Sequence, residues 1–241
     1  MSDKSAESRQ QKIGDKYDED YFQSHYAAQM DEGFFRLMSL YWKYTLFTRN
    51  NLNAESKILD YGGGLGQVSA ALPNVTIYDP SSFAERYALE HGREFIRDVK
   101  KIPRKSFDII LSSHSLEHTP RPADDLKSFH EYATANCVLL LALPAEFEMY
   151  AYTEPLEVPR LKPDLHDQHF HCWTFQTITN LLAYCGWRSI AQEKIYGPFM
   201  LRSLAKILGP HVSVSLAHRL GRYKRNFPSL VTVANRIDPN N

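Results

Sequence analysis

A short apolar segment that ends in an acid and turns at once into a glycine loop constrains this chain most strongly. Residues 57–61 predict a buried strand, and glycines follow at alternate positions, Gly62, Gly64 and Gly66. Residues without a Cβ atom let the backbone bend sharply and approach a ligand closely. The pattern therefore predicts a strand, a loop and a helix that together bind a cofactor.

Asp60, two residues before the first glycine, distinguishes two kinds of cofactor. In a dinucleotide fingerprint the diphosphate lies at the helix N-terminus, where a carboxylate at the strand end would repel it. An acid there instead suits a ligand with an ammonium group. The spacing of acid and glycines resembles the first motif of class I S-adenosylmethionine (SAM)-dependent methyltransferases, whose cofactor carries a cationic aminoacyl tail.

Two later segments extend this resemblance to a whole nucleoside site. Residues 74–79 predict a second strand ending in Asp79, about twenty residues after Asp60, where a carboxylate can accept hydrogen bonds from both ribose hydroxyls. Residues 95–99 resemble the third motif of the family. The resemblance implies that Asp98 accepts from the adenine amino group and that the backbone N–H of Val99 meets the ring.

The fourth landmark is a buried strand over residues 106–113 followed by the loop 114–118, His-Ser-Leu-Glu-His. It is similar to the fourth motif of the same superfamily, and Ser113 at the strand end joins the candidate cofactor-binding residues. Each acid alone is more often a turn or cap residue. Four landmarks in the right order favour a shared cofactor site, because consistency across levels outweighs any single match.

The resemblance is to small-molecule enzymes of the methyltransferase 11/23-like type, and it implies an α/β fold. We expect a Rossmann-like, seven-stranded, mostly parallel sheet with helices on both faces and an antiparallel C-terminal edge pair. The apolar run 137–143 suits a central parallel strand covered on both faces. Helices are predicted at 122–133 and 175–184, and the last two strands at 187–196 and 229–235.

The order of polar, aromatic and apolar segments along the chain predicts one catalytic domain over residues 17–241. Residues 1–16 are polar and are expected to form a disordered tail. The aromatic segment 17–50 is predicted to form a helical lid or brace over the cofactor, although packing alone would also explain its aromatic residues. Insertions are expected at 144–172, which is long for a connection inside a compact domain, and at 197–227.

Composition limits the partners. Lys and Arg together number 28, equal to Asp and Glu, so a neutral chain gives no electrostatic reason to expect nucleic acid. The three cysteines lack CxxC spacing and are expected to be reduced thiols in a cytoplasmic protein. No apolar run approaches the length that spans a bilayer, so stable membrane insertion is not expected.

Histidines in the fourth-motif loop offer competing chemistries. His114, Glu117 and His118 spell H-x-x-E-H, an order that some zinc peptidases place on a helix, but here the motif directly follows a strand and meets Pro120. Some methyltransferases of catechols and of small-RNA ends resemble this loop but carry E-x-x-E-H. Because His114 replaces their first Glu, no metal is predicted here.

A second histidine cluster, residues 166–171, lies just before a predicted helix. Structural hydrogen bonding, acceptor binding or general-base catalysis, and metal binding all remain open for it. His114 and His169 are the candidates for a catalytic base.

The insertion 197–227 is basic. No acid occurs from Lys194 to Ile237, and the segment contains an amphipathic run at 199–208. A helical hairpin with its charges in water is the favoured interpretation, while contact with a membrane or with an anionic acceptor remains the alternative.

Together these features predict a SAM-dependent methyltransferase acting on a small molecule, most plainly an O-methyltransferase. The family resemblance implies in-line displacement, for which positioning supplies most of the acceleration. The alternatives are a non-catalytic SAM-binding protein and, less favoured, a nicotinamide-dependent oxidoreductase.

Overall fold

A computed structural model of the chain describes residues 17–26, 31–145, 169–225 and 228–237. The predicted disordered tail, 1–16, lies outside these residues, as does most of the predicted insertion 144–172.

The described residues form a seven-stranded sheet. Its strands are β1 (Ile58–Tyr61), β2 (Val75–Tyr78), β3 (Glu94–Ile96), β4 (Phe107–Ser113), β5 (Ala133–Pro144), β6 (Trp187–Tyr196) and β7 (Pro228–Arg236). The order is β3-β2-β1-β4-β5-β7-β6. Strands β1 to β5 are parallel, and β7 runs antiparallel to both β5 and β6. The predicted Rossmann-like sheet with an antiparallel edge pair is confirmed.

Helices connect and cover these strands. They are α1 (Glu19–Tyr26), α2 (Glu32–Trp42), α3 (Ser82–Glu90), α4 (Pro122–Tyr132), α5 (Phe175–Tyr184), α6 (Leu201–Leu208) and α7 (Pro210–Lys224), with a π-helical segment (Lys43–Thr48) continuing α2. Local chemistry sets their starts: Asp31, Ser81 and Thr174 accept backbone N–H groups as N-caps. Helices α4 and α7 have a proline in the first turn, where no N–H is needed.

Alternating side chains of the central strands fill two hydrophobic cores, one on each face of the sheet. Leu139 and Leu141 of β5 pack with Phe129 of α4 on one face, whereas Leu140 packs with Phe47 of the π-helical segment on the other. This two-sided burial explains why β5 reads as a continuous apolar run. The predicted placement of helices on both faces is confirmed.

The helix predicted immediately after the glycine loop is absent, since residues 64–71 form consecutive turns. Gly66 has a φ of +77°, outside the right-handed helical region, and its N–H donates to the carbonyl of Gly63 at 2.8 Å. Pro73 follows within seven residues, which leaves no room for a helix of ordinary length.

The predicted lid, 17–50, divides into two parts. Only the segment from Tyr17 through α1 reaches the carboxyl ends of the strands, where Phe22 stacks on Phe83 with ring centroids 5.4 Å apart. Helix α2 instead packs through Leu37 and Tyr41 against the α6–α7 pair. The second part therefore braces a face of the domain, and it also reaches the glycine loop, because Phe35 packs in one buried cluster with Phe22 and Leu65.

Candidate functional site

A cavity of about 210 Å³ opens at the carboxyl ends of β1, β2 and β4. This is the edge of a parallel α/β sheet at which ligands bind. Its walls come from α1 and Tyr17, two residues before that helix, and from the glycine loop, the end of β2, the loop after β4 and the first turn of α4. The lining residues are Tyr17, Tyr21, Phe22, Tyr61, Gly62, Gly64, Tyr78, Asp79, Pro80, His114, Ser115, Leu116, His118, Thr119 and Asp125.

The glycine loop requires its glycines for two reasons. Gly62, Gly64 and Gly66 have φ values of +74°, +52° and +77°, which L-residues with side chains adopt only with strain. At Gly62 space is also lacking, because an added Cβ atom would lie 2.0 Å from Oγ of Ser115. The loop thus presents bare backbone to the cavity.

Asp79 lies at the end of β2 in the orientation expected of a ribose-binding acid. Its Oδ2 accepts the N–H of Gly64 at 3.0 Å, and its Oδ1 accepts the N–H of Ser81 at 2.9 Å. Burial raises the pKa of this carboxyl, and the two backbone donors oppose that shift. Each oxygen keeps a further lone pair, so the fixed carboxylate can accept two vicinal hydroxyls.

Asp60 lies buried beneath the glycine loop and is not among the residues that line the cavity. Its contact with a ligand's ammonium group stays a prediction. Its Oδ2 accepts from Oγ of Ser69 at 2.5 Å, whereas its Oδ1 has no hydrogen-bond partner among the described residues. Burial raises its pKa to about 6. An ammonium group above the loop would act on this carboxylate through the intervening backbone.

Three other predicted cofactor residues also lie outside the cavity lining. Asp98 is exposed, and its Oδ1 accepts the N–H of Lys100 at 3.0 Å as the cap of a short 3₁₀ helix (Val99–Lys101). Its charge nevertheless contributes to raising the pKa of Tyr78, a lining residue, so it lies near the rim. Val99 begins that 3₁₀ helix, and Ser113 ends β4 half-buried.

Aromatic residues at the N-terminus close one side of the cavity. Tyr17 packs edge-on against Tyr21, with ring centroids 4.8 Å apart, and against the imidazole of His118 at 6.0 Å. The hydroxyl of Ser81 donates to the carbonyl of Tyr17 at 2.5 Å, which ties this segment to the β2 end. The segment therefore joins the ribose side of the cavity to its histidine side.

His114 lies on the opposite wall, at the end of β4, with a φ of +49° that is unusual for a residue with a side chain. Its Nε2 is 3.0 Å from Oγ of Ser229, and its Nδ1 is 3.7 Å from Oε1 of Glu117. Partial desolvation by the surrounding cavity wall, together with the charges of His118 and His169, lowers its pKa to about 4. The imidazole is therefore neutral at pH 7 and retains 42% exposure because it faces the open cavity.

Three side chains form a compact cluster behind His114. The buried carboxylate of Glu117 is 4.0 Å from Nε2 of His118, and the rings of His118 and His169 are edge-on with centroids 4.6 Å apart. Burial lowers the pKa of His169 to about 4. One ligand atom from each of the three lies within 4.8 Å of the others, so this is the group that could hold a metal ion among the described residues.

Of the remaining histidines in the predicted 166–171 cluster, His171 lies near the carbonyl of Thr119, with its Nε2 3.0 Å from that oxygen. His166 lies outside the described residues. The cluster thus divides between His169, which contacts His118 of the cavity wall, and His171, which makes a structural contact.

Two residues of the site escaped the sequence analysis. Asp125, on the cavity wall, accepts from the hydroxyls of Tyr61 at 2.9 Å and Thr119 at 2.8 Å, and burial raises its pKa. Ser229 contacts His114 from the start of β7. An acid in the first turn of a helix resembles an ordinary dipole partner, and a serine beginning a strand carries no signal.

A larger open groove of about 1310 Å³ lies elsewhere, at the amino ends of β1, β2 and β4, and includes Lys57, Val75 and Asp108. It lies at the wrong edge of the sheet for a nucleoside, and Asp79, the candidate ribose-binding acid, does not line it. The smaller cavity is therefore the candidate active site.

A doubly wound sheet with a glycine loop after β1 and an acid at the end of β2 defines a nucleoside-cofactor-binding domain of Rossmann-like type. Residues 26–192 match the model of a methyltransferase domain family, and the chain belongs to that family. Its cofactor is SAM, and the nicotinamide alternative is not retained. No curated protein matches the sequence.

Solved structures share the fold at low sequence identity. A chain in the complex between the Haloferax volcanii Trm112 methyltransferase activator and a methyltransferase is 15% identical, with a TM-score of 0.60 and coverage of 91% of this chain and 97% of that one. The [4+2]-cyclase SpnF is 16% identical (TM-score 0.59; 95% and 97%). The Burkholderia thailandensis 1,6-didemethyltoxoflavin N1-methyltransferase, solved with that substrate and S-adenosylhomocysteine, is 15% identical (TM-score 0.55; 90% and 88%).

Proposed function

We propose that this protein transfers the methyl group of SAM to a hydroxyl of a small-molecule acceptor. The observation that carries the proposal is the position of Asp79 and His114 on the walls of one cavity of about 210 Å³. One supplies a fixed acceptor for ribose hydroxyls, and the other supplies a neutral imidazole.

When bound, SAM supplies an activated sulfonium methyl with a neutral leaving group. Asp79 would hold the ribose, and Gly62 and Gly64 would let the cofactor lie against bare backbone. We place Asp60 below the loop as a source of negative potential for the aminoacyl ammonium. Asp98, Val99 and Ser113 remain candidate cofactor-binding residues at the rim of the nucleoside site.

His114 is our candidate general base. If Ser229 accepts the Nε2–H, the lone pair on Nδ1 is left for the acceptor's hydroxyl proton. The carboxylate of Glu117, 3.7 Å away, would stabilise the imidazolium that forms. We assign His169, half-buried beside His118, to acceptor binding or to a share in this proton transfer.

The closure of the cavity by Tyr17, Tyr21 and Phe22 supports a small acceptor over a polymer. The toxoflavin enzyme, solved with its small heteroaromatic substrate, is a precedent for the fold. An anionic acceptor is the more specific form of this proposal, because the basic insertion adjoins β7. The three cysteines remain thiols, which supports a cytoplasmic location.

The alternative is a SAM-binding protein that does not transfer the methyl group. The fold alone does not decide this, since the similar SpnF structure is named as a cyclase. The histidine wall opposite Asp79 favours transfer, because a binding module has no need of a neutral imidazole facing the cavity.

Labelled SAM and fractionated host metabolites provide the test. We expect one small-molecule fraction to gain the labelled methyl group with the wild-type protein, and to gain it far more slowly with His114→Ala. A protein that binds SAM but labels no fraction would support the non-catalytic alternative, and labelling of nucleic acid or protein alone would contradict a small-molecule acceptor.

A further inference from the structure

The α6–α7 hairpin, residues 201–224, is larger than its connection requires. Strands β6 and β7 are antiparallel neighbours, and Tyr196 pairs with Pro228 at the end where the insertion begins. A turn of two to five residues would join such strands. The chain instead inserts two helices there, so the insertion calls for an explanation beyond connectivity.

One side of the hairpin is fixed firmly to the domain. Val214 and Ala217 pack in a buried cluster with Leu37 and Tyr41. The backbone also approaches closely at Gly221, where an added Cβ atom would lie 2.1 Å from the carbonyl oxygen of Gly197. These contacts hold the hairpin without any help from its turn.

The turn itself projects apolar side chains into solvent. Where the two helices meet, at the end of α6 and the start of α7, Ile207 is 79% exposed, Val212 59% and Leu208 42%, and the neighbouring Lys206 and His211 are exposed as well. We call residues 206–212 the hairpin tip. Adjacent exposed apolar residues of this kind, beside a cation, differ from the singly scattered ones that are normal on a protein surface.

The charge of the hairpin is entirely positive. Its cations are Arg202, Lys206, Arg219, Arg222 and Lys224, and Arg225 follows directly; no acid occurs from Lys194 to Ile237 although the whole chain is neutral. A helix pair that packs on a protein surface carrying both acidic and basic residues does not need to be purely cationic. A surface that is negatively charged outside and apolar beneath complements both the cations of the hairpin and the exposed apolar side chains of its tip.

We propose that the hairpin tip binds the surface of a membrane containing anionic lipids, with Ile207, Leu208 and Val212 entering the headgroup region. No described helix is long and apolar enough to cross a bilayer, so the contact is peripheral. It requires neither SAM nor the candidate active site, and the proposed methyl transfer can fail while this binding holds.

Sedimentation of the full-length protein with vesicles tests the proposal. We expect binding to vesicles of phosphatidylcholine and phosphatidylglycerol in equal parts, weak binding to phosphatidylcholine alone, and loss of binding as salt rises. Val212→Asp should weaken binding about tenfold or more. The matched control is Leu89→Asp, which changes an equally exposed leucine (59%) on α3 and should bind as the wild type does.

A second pair separates charge from apolar contact. Lys206→Glu should weaken binding to the anionic vesicles more than tenfold, because one cation near the surface contributes about fivefold and the new anion repels. Lys101→Glu, at an exposed site outside the hairpin, makes the same charge change and should have little effect. Thermal unfolding and S-adenosylhomocysteine affinity should match the wild type in all four variants.

Three results would overturn the proposal. They are equal binding to neutral and anionic vesicles, equal weakening by the tip variants and their controls, and a dimer in light scattering that Val212→Asp dissociates. The last would identify the tip as an interface between two copies of the chain.

Discussion

Gly62 and Ser115 approach so closely that a Cβ atom on Gly62 would lie 2.0 Å from Oγ and 2.6 Å from Cβ of Ser115. The contact joins the glycine loop after β1 to the loop after β4, the two segments that separate the ribose side of the cavity from its histidine side. The cavity keeps its space for a cofactor only while the glycine loop remains in contact with the loop after β4.

Gly62→Ala should therefore reduce SAM affinity and lower the unfolding temperature. The positive φ alone costs about 1–2 kcal/mol, and the clash adds about 1–3 kcal/mol because it involves a short, fixed side chain. Gly92→Ala is the matched control: Gly92 has a similar φ of +67°, with nothing within 4 Å of the added Cβ. Calorimetry and thermal unfolding measure both, and equal losses would mean that the contact with Ser115 is unimportant.

Asp79→Ala should weaken binding of SAM and S-adenosylhomocysteine by at least about a hundredfold, because it removes two hydrogen bonds to a charged acceptor, each worth roughly 1.5–3 kcal/mol. It also releases the N–H of Gly64. Asp124→Ala removes an exposed acid at the start of α4 and serves as the control. Titration calorimetry decides the matter, and an unchanged heat in the Asp79 variant would refute the ribose assignment.

His114→Ala should lower turnover about a hundredfold or more, the usual contribution of a general base, and leave SAM affinity nearly unchanged. Ser229→Ala should have a smaller effect of the same kind, because it removes the partner that holds the ring. His91→Ala, which removes an imidazole outside the cavity lining, should retain full turnover. A fall in SAM affinity equal to the fall in turnover would assign His114 to binding.

The pH dependence of turnover should reflect the lowered pKa of His114. A base works in its neutral form, so activity is present above the folded-state pKa and is lost as pH falls through about 4. An unperturbed histidine would lose it near pH 6.5. The charge of His118 contributes to the shift, so His118→Ala should move the acidic limb upward. A wild-type limb near 6.5 would show that another group provides the base.

Elements whose signal is local were predictable from the sequence. The helix predicted over 175–184 and the strand predicted over 187–196 have those bounds in the structure as α5 and β6, and Thr174 caps the helix locally. Asp79 could be placed because the carboxyl ends of parallel strands share one edge of the sheet.

Features that depend on distant contacts were not predictable. Ser229 meets His114 across 115 residues of sequence, and Asp125 acquires its role only when Tyr61 turns toward it. The positive φ of Gly66 prevents the expected helix. The sequence alone does not show this conformation, because a glycine in the first turn of a helix looks the same in the sequence. The sequence places Asp60 at the end of a strand, but its burial beneath the glycine loop was not predictable, because spacing does not give the face to which a side chain turns.

Metal content is the last property that can be checked directly. Ligands of a tetrahedral zinc ion at about 2.1 Å lie about 3.4 Å from one another, whereas Oε1 of Glu117 and Nε2 of His118 are 4.0 Å apart. The side chains of this cluster must therefore move closer together to bind a metal. Nε2 of His114 contacts Ser229 and does not contact the cluster. We therefore expect the purified protein to contain far less than one equivalent of transition metal by mass spectrometry, and turnover to survive dialysis against a chelator.

His169→Ala should then weaken acceptor binding without altering metal content. Stoichiometric metal that disappears in this variant would instead establish Glu117, His118 and His169 as its ligands, because an adventitious ion would not depend on one imidazole.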